Sequence, residues 1–186
     1  MNGDGGTLLE RPWLPALVTA CREAGLDWLR MAAAAEILSR GDASRRVVDW
    51  AYIRERLGQD NPRALPLYHA DGSPSLDLID RGTRWGLYQV HGDRAVEAGF
   101  KGRLVGLASM GSSIKLGVSL VVEAIDAVER RADRMAAAGD LEGARRLVDA
   151  LPGSAEEAAL GVRSADVDEA AEELRRSIVG LTELTR

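Results

Sequence analysis

A single cysteine, Cys21, leaves the chain without an intrachain disulfide and without a cysteine-based metal site. Two histidines add too few ligands for an ordinary structural zinc centre. No apolar run approaches the roughly 20 residues that cross a bilayer. The start, "MNGDGGTLLERP", lacks the basic-then-apolar pattern of a secretory signal, so the expectation is synthesis in the cytoplasm. Positive charge is also short. The formal net charge is −5, a poor basis for sequence-independent nucleic-acid binding, which needs Lys and Arg against phosphates. Catalytic signatures are missing as well. There is no His-Glu-x-x-His, no Gly-x-Ser-x-Gly, and "MGSSIKLG" orders its Gly, Ser and Lys wrongly for a phosphate loop. Chemistry, if any, falls to carboxylates, with no metal or cofactor.

What is present is helical periodicity on an alanine-rich background. With 46% hydrophobic and 28% charged residues, the 186-residue chain reads as one folded domain with a small appendage. Residues 1–11 read as a Gly-rich arm. "PWLPALVTACREAG" predicts a helix with Leu14, Leu17, Val18 and Cys21 inward and Gly25 as its stop. "LDWLRMAAAAEILSRG" predicts a second, capped by Asp27 and closed at Gly41. "SRRVVDWAYIRERLG" predicts a third, with Val47, Trp50, Ile53 and Leu57 on one face. Trp13, Trp28 and Trp50 stand at helical spacings as core residues.

From Gln59 to Arg84 the pattern dissolves into Asn-Pro, Asp-Gly and Ser-Pro turn signals, a long loop. "HGDRAVEAG" predicts a short helix ended by Gly99. "SSIKLGVSLVVEAIDAVERRADRMAAAG" predicts a long amphipathic one, with Ile114, Val118, Val121, Ile125, Val128, Ala132 and Met135 aligned. Gly117 on that face implies that another backbone passes close. "DLEGARRLVDALPG" and "SADVDEAAEELRRSIVGLTEL" predict two more, the last with a stripe of Val167, Ala171, Leu174, Ile178 and Leu181. No strand series stands out, and the expected class is mainly α.

The most specific stretch is "TRWGLYQVHGDRAVEAGFKG". It resembles the soluble lytic transglycosylases, lysozyme-like enzymes that cut the glycan strands of peptidoglycan. Thr83, Trp85, Gly86, Leu87, Tyr88, Gln89 and Val90 are similar to that family's Gly-Leu-Met-Gln-Val segment, with Ala95, Ala98, Gly99 and Phe100 after it. Trp85 to Gly92 is similar to a phage-borne branch, with Tyr88 and His91 in place of two Met. "LASMGSSIKLG" fits at Leu107, Ile114 and Gly117 and departs at an Asp-Pro. The likeness runs from about Trp13 to about Val128. It implies a lysozyme-like domain over residues 12–151, with a Gly-rich cleft loop and a helical extension over residues 152–186. Glycines would let sugar hydroxyls reach the backbone. Trp85 and Tyr88 would offer flat faces to sugar rings, Gln89 an amide, and His91 either the cleft wall or a surface helix start. His69 is assigned nothing.

Cleavage of a glycosidic bond needs a carboxylic acid on the leaving oxygen. The family implies a Glu at the end of the second helix. Laid without gaps, that position falls on Leu38, while Ser39, Arg40 and Gly41 match. Glu36 comes two residues early, about 160° round a regular helix. Glu55, in "AYIRERLGQDNPRA", is the second candidate. Trp50, Ala51 and Arg54 are similar to a segment of the phage branch, which ranks Glu36 first. The Ala-Tyr-Asn-Ala-Gly segment the family carries after its long helix is replaced by "RRLVDALPGS".

Two readings follow. One is a phage-borne lytic transglycosylase or muramidase acting on the MurNAc–GlcNAc bond, carried in the virion or released to the cell wall. The other is a degenerate lysozyme-like structural protein of a phage tail or similar assembly, docking through the C-terminal stripe.

Overall fold

The computed structural model describes residues 8–59, 76–151 and 153–184. Among them helices dominate, joined by a small three-stranded sheet. Helix α1 (Leu14–Ala24) starts on a proline and ends at Gly25, which takes the left-handed conformation at φ +70°. Asp27 caps α2 (Trp28–Ser39), its carboxylate accepting from the Leu29 N–H at 2.8 Å. Ala32 to Ala35 are wholly buried, because α1 and α9 (Ser164–Leu184) both close on this helix and small side chains permit the approach.

The spine is α6 (Met110–Ala137), started by Ser109. Helices α1, α7 (Leu141–Asp149) and α8 (Gly153–Leu160) pack on it. One contiguous core joins Trp13, Leu17 and Cys21 of the N-terminal end to Met31, Tyr88, Ile114, Val121 and Val167. Burial pushes the Cys21 thiol up to about 12, so it behaves as a small hydrophobe and not as a nucleophile.

The third predicted helix is corrected. Arg46–Val48 form strand β1, paired antiparallel with β2 (Thr83–Trp85), which pairs with β3 (Val90–His91). Only then does Asp49 start a short helix, α3 (Trp50–Tyr52), that widens into a π turn at Ile53–Gln59. The β-branched Val47 and Val48 suit a strand, and their partners lie over thirty residues downstream, beyond any local periodicity. Trp50 is correspondingly not a core residue but 55% exposed. Trp13 is fully buried, its indole N–H donating to the Gly41 carbonyl at 2.7 Å, and Trp28 packs at the edge of the core.

Two further elements replace expected loop. Helix α4 (Leu76–Gly82) precedes β2, and α8 occupies the stretch between the α7 and α9 segments, where the sequence pattern predicts no element. His69 lies outside the described residues. The short helix α5 (Gly92–Glu97) and its Gly99 stop agree with the sequence, with His91 at its start.

The first part of the C-terminal stripe is not a free docking face. Val167 and Ala171 are buried in the common core against α2, and Leu174 packs beside them. The side chain of Leu181 is outside those described. Helices α8 and α9 are tied to α2 by Arg30, which grips Glu156 at 2.7–3.0 Å and also pairs with Asp168.

Candidate functional site

The Trp-Gly-Leu-Tyr-Gln stretch is a hairpin whose turn is driven into the core. Gly86 sits at φ +70°, and a Cβ there would fall 2.5 Å from the Ser113 hydroxyl oxygen. Only glycine fits on both counts. The Gly86 N–H donates to the Arg45 carbonyl at 2.8 Å, and the Leu87 N–H donates to the Ser113 hydroxyl at 2.7 Å. The turn is thereby fastened to the start of α6 and to the chain before β1.

Trp85, Leu87 and Tyr88 are all buried. The Trp85 indole donates to the Asp80 carbonyl at 2.9 Å, and the Tyr88 hydroxyl donates to the Met31 carbonyl at 3.2 Å. The Tyr88 ring lies on Gly117, where a Cβ would stand 2.5 Å from Cε2. The close neighbour that Gly117 implied is thus an aromatic ring and not a backbone. Neither Trp85 nor Tyr88 turns a flat face to solvent in this structure. Their role is to seat the turn.

Gln89 is different. It holds φ +49°, a strained value for a residue with a side chain. Its amide nitrogen donates to the carbonyls of Gly86 at 2.8 Å and Arg45 at 3.2 Å, which fixes the strain. It also lines a cleft of about 280 Å³. Across that cleft stand Leu38 of α2, Arg84 of β2, His91 of β3, Arg94 of α5, and the Leu160–Gly161 end of α8.

The wall of the cleft continues into a small polar cluster. The Asp49 carboxylate faces the His91 ring at 3.2 Å and Arg84 at 3.5 Å, and accepts from the Tyr52 N–H at 3.0 Å. Those contacts, the Tyr52 N–H foremost, hold Asp49 below the usual carboxylate value. The His91 ring stacks on Tyr52, with centroids 3.8 Å apart and planes 12° from parallel. Burial pulls His91 below its ordinary value, aided by Arg84 and Arg94 and opposed by Asp49.

The two candidate acids lie elsewhere. Glu36 projects from α2 toward the N-terminal segment, where both its oxygens are taken by the Arg11 guanidinium at 2.8 and 2.9 Å. It also closes on Gly41, where a Cβ would stand 2.5 Å from Oε1. Glu55 is exposed on the π turn. Neither lines the cleft beside Gln89, and Leu38 does. The half-turn between Leu38 and Glu36 on a regular α2 separates them as helix geometry requires.

Sequence reasoning passed over Asp49, Tyr52, Arg84, Arg94 and Gly161. An Asp three residues before a helical N–H is a legible cap. That the same Asp meets His91, forty-two positions on, is not. Among the described residues no group of three or more His, Cys, Asp or Glu could hold a metal ion. A larger groove of about 520 Å³ between α5, α6 and α8 is open and alanine-floored; it does not reach Gln89 but shares Arg94 with the cleft and carries Glu97 and Glu123. No protein-family model, no curated protein and no solved structure matches this chain.

Proposed function

We propose that this chain is a degenerate lysozyme-like module that binds peptidoglycan glycan strands without cutting them, as a structural protein of a phage tail or similar assembly. One observation carries this reading. Leu38, which a gap-free alignment sets on the catalytic Glu of the resembled family, lines the cleft that holds Gln89. A leucine donates no proton to a leaving oxygen, and the nearest glutamate on that helix is already paired with Arg11. The missing Tyr-Asn segment after the long helix points the same way. Attachment to a larger assembly would use surfaces other than the Val167–Ala171 stripe, which the fold consumes.

The test is incubation of the purified chain with isolated sacculi, followed by sedimentation and by mass spectrometry of the supernatant. The expected outcome is co-sedimentation with no released fragments. Anhydromuramic or reducing fragments from the wild type, lost in Glu36→Gln or Glu55→Gln, would establish a cleaving enzyme instead. Failure to sediment with sacculi would remove the glycan reading altogether.

A further inference from the structure

The charge of the cleft is out of keeping with the chain. Acidic residues outnumber Lys and Arg by 29 to 24, and other arginines at element junctions are matched to carboxylates: Arg11 to Glu36, Arg30 to Glu156. The cleft beside Gln89 is walled by two arginines and a histidine, with no carboxylate in its lining.

Neither arginine is fully used. Arg94 donates one N–H to the Ala158 carbonyl at 2.8 Å and, among the described residues, makes no ion pair. Arg84 has its Nε buried without a hydrogen bond, and its nearest carboxylate oxygen, on Asp49, stands off at 3.5 Å while serving His91 and lying beside Tyr52. That Nε faces Asp49, while the rest of the half-exposed Arg84 side chain borders the cleft. Guanidinium is the side chain whose planar fork matches carboxylate and phosphate. Between these cations the floor is apolar, made by Leu38 and Leu160, and the space of about 280 Å³ suits a ring-sized ligand.

We infer that this cleft is an oxyanion site, in which Arg84 and Arg94 hold a carboxylate or phosphate borne by a ring-sized ligand seated on Leu38. The inference stands on the cleft's own charge and shape and does not need the glycan reading. Asp49 sets its limit, because it partly neutralises Arg84. Arg94 therefore supplies the larger share of the attraction.

The experiment is an amide NMR titration of the full chain with three probes: inorganic phosphate, N-acetylmuramic acid and N-acetylglucosamine. Shifts should gather at residues 84–94 and 159–161 for at least one anionic probe. Both Arg94→Gln and Arg84→Gln should weaken that binding, Arg94→Gln by about tenfold or more, the scale of one charge-assisted hydrogen bond. Dispersed spectra of both variants would show that they remain folded, and either alone suffices for the comparison.

Binding of N-acetylmuramic acid well above N-acetylglucosamine supports the site and the glycan reading together. Binding of phosphate with neither sugar supports the site and counts against the glycan reading. Equal binding of both sugars with no response to phosphate overturns the oxyanion site and leaves the glycan reading standing. Silence from all three probes, or full binding by Arg94→Gln, overturns the site.

Discussion

Gly117 and Tyr88 show how a motif residue can be specified by a helix that follows it. The ring of Tyr88 is fully buried, and it occupies the volume that any side chain at Gly117 would need. An alanine there improves helix propensity by about 1 kcal/mol. It also forces the ring to move in a packed core, which costs about 1–3 kcal/mol. Gly117→Ala should therefore lower stability despite its better propensity, read as a drop in the denaturation midpoint. A stable variant would mean that Tyr88 does not pack on α6 as described. Gly86 belongs to the same logic, since its positive φ and the Ser113 hydroxyl both exclude a side chain. These glycines were legible as special in the sequence. What each one faces was not, because the facing group comes from another element.

Helices α2, α8 and α9 are held together by an ion cluster in which Arg30 stands 126 residues from Glu156 and 138 from Asp168. Arg30 is only 14% exposed and Glu156 only 3%. Burial pushes the Glu156 carboxyl up, against the pull of Arg30, while the same contact secures the guanidinium charge. Removing one partner strands the other in a desolvated place. Arg30→Ala should cost about 3–5 kcal/mol, measured by chemical denaturation. Replacing both, as Arg30→Met with Glu156→Leu, should cost much less, because no buried charge is left unpaired. Equal losses from the single and double variants would show that packing, not charge, holds this junction. The periodicity of α9 predicted Val167, Ala171 and Leu174 as inward, and the core contains the first two with Leu174 packed against it. It did not say that α2 would cover Val167 and Ala171, since a stripe specifies a buried face and not its partner.

For the molecule as a whole, the burial of His91 makes stability depend on pH, with Asp49 opposing part of the effect. The folded chain holds His91 below its ordinary value of 6.5. Between that lowered value and 6.5 the unfolded chain binds more protons, so stability is full above 6.5 and declines as the pH falls through the window. Asp49 acts lower down. Its folded value lies below 3.8, so its contribution is present above 3.8 and is lost as the pH falls further. Thermal melts across mildly acidic pH should show the first decline, and His91→Gln should flatten it. An unchanged slope in that variant would assign the decline to other groups. The acidic balance of the whole surface remains a reason against sequence-independent nucleic-acid binding.

By itself the sequence determined the helices whose signals are local. Asp27 caps α2, the apolar spacing of Ile114, Val118 and Val121 sets α6, and Gly25, Gly99 and Gly139 end their elements in positive φ. Caps, stops and a 3.6-residue period act within a few residues, so they are readable without a fold. The tertiary structure alone decided the rest. Strand β1 exists because Arg46–Val48 meet Thr83–Trp85, and Trp50 is left outside as a result. The turn from Gly86 to Gln89 became an anchor because α2 and α6 supply its acceptors and its seat. The cleft received Leu38 and not Glu36 because adjacent elements fix which side of α2 faces Gln89. Each of these is a relation between distant segments. A single chain read in order carries the residues for such a relation, and only their packing brings them together.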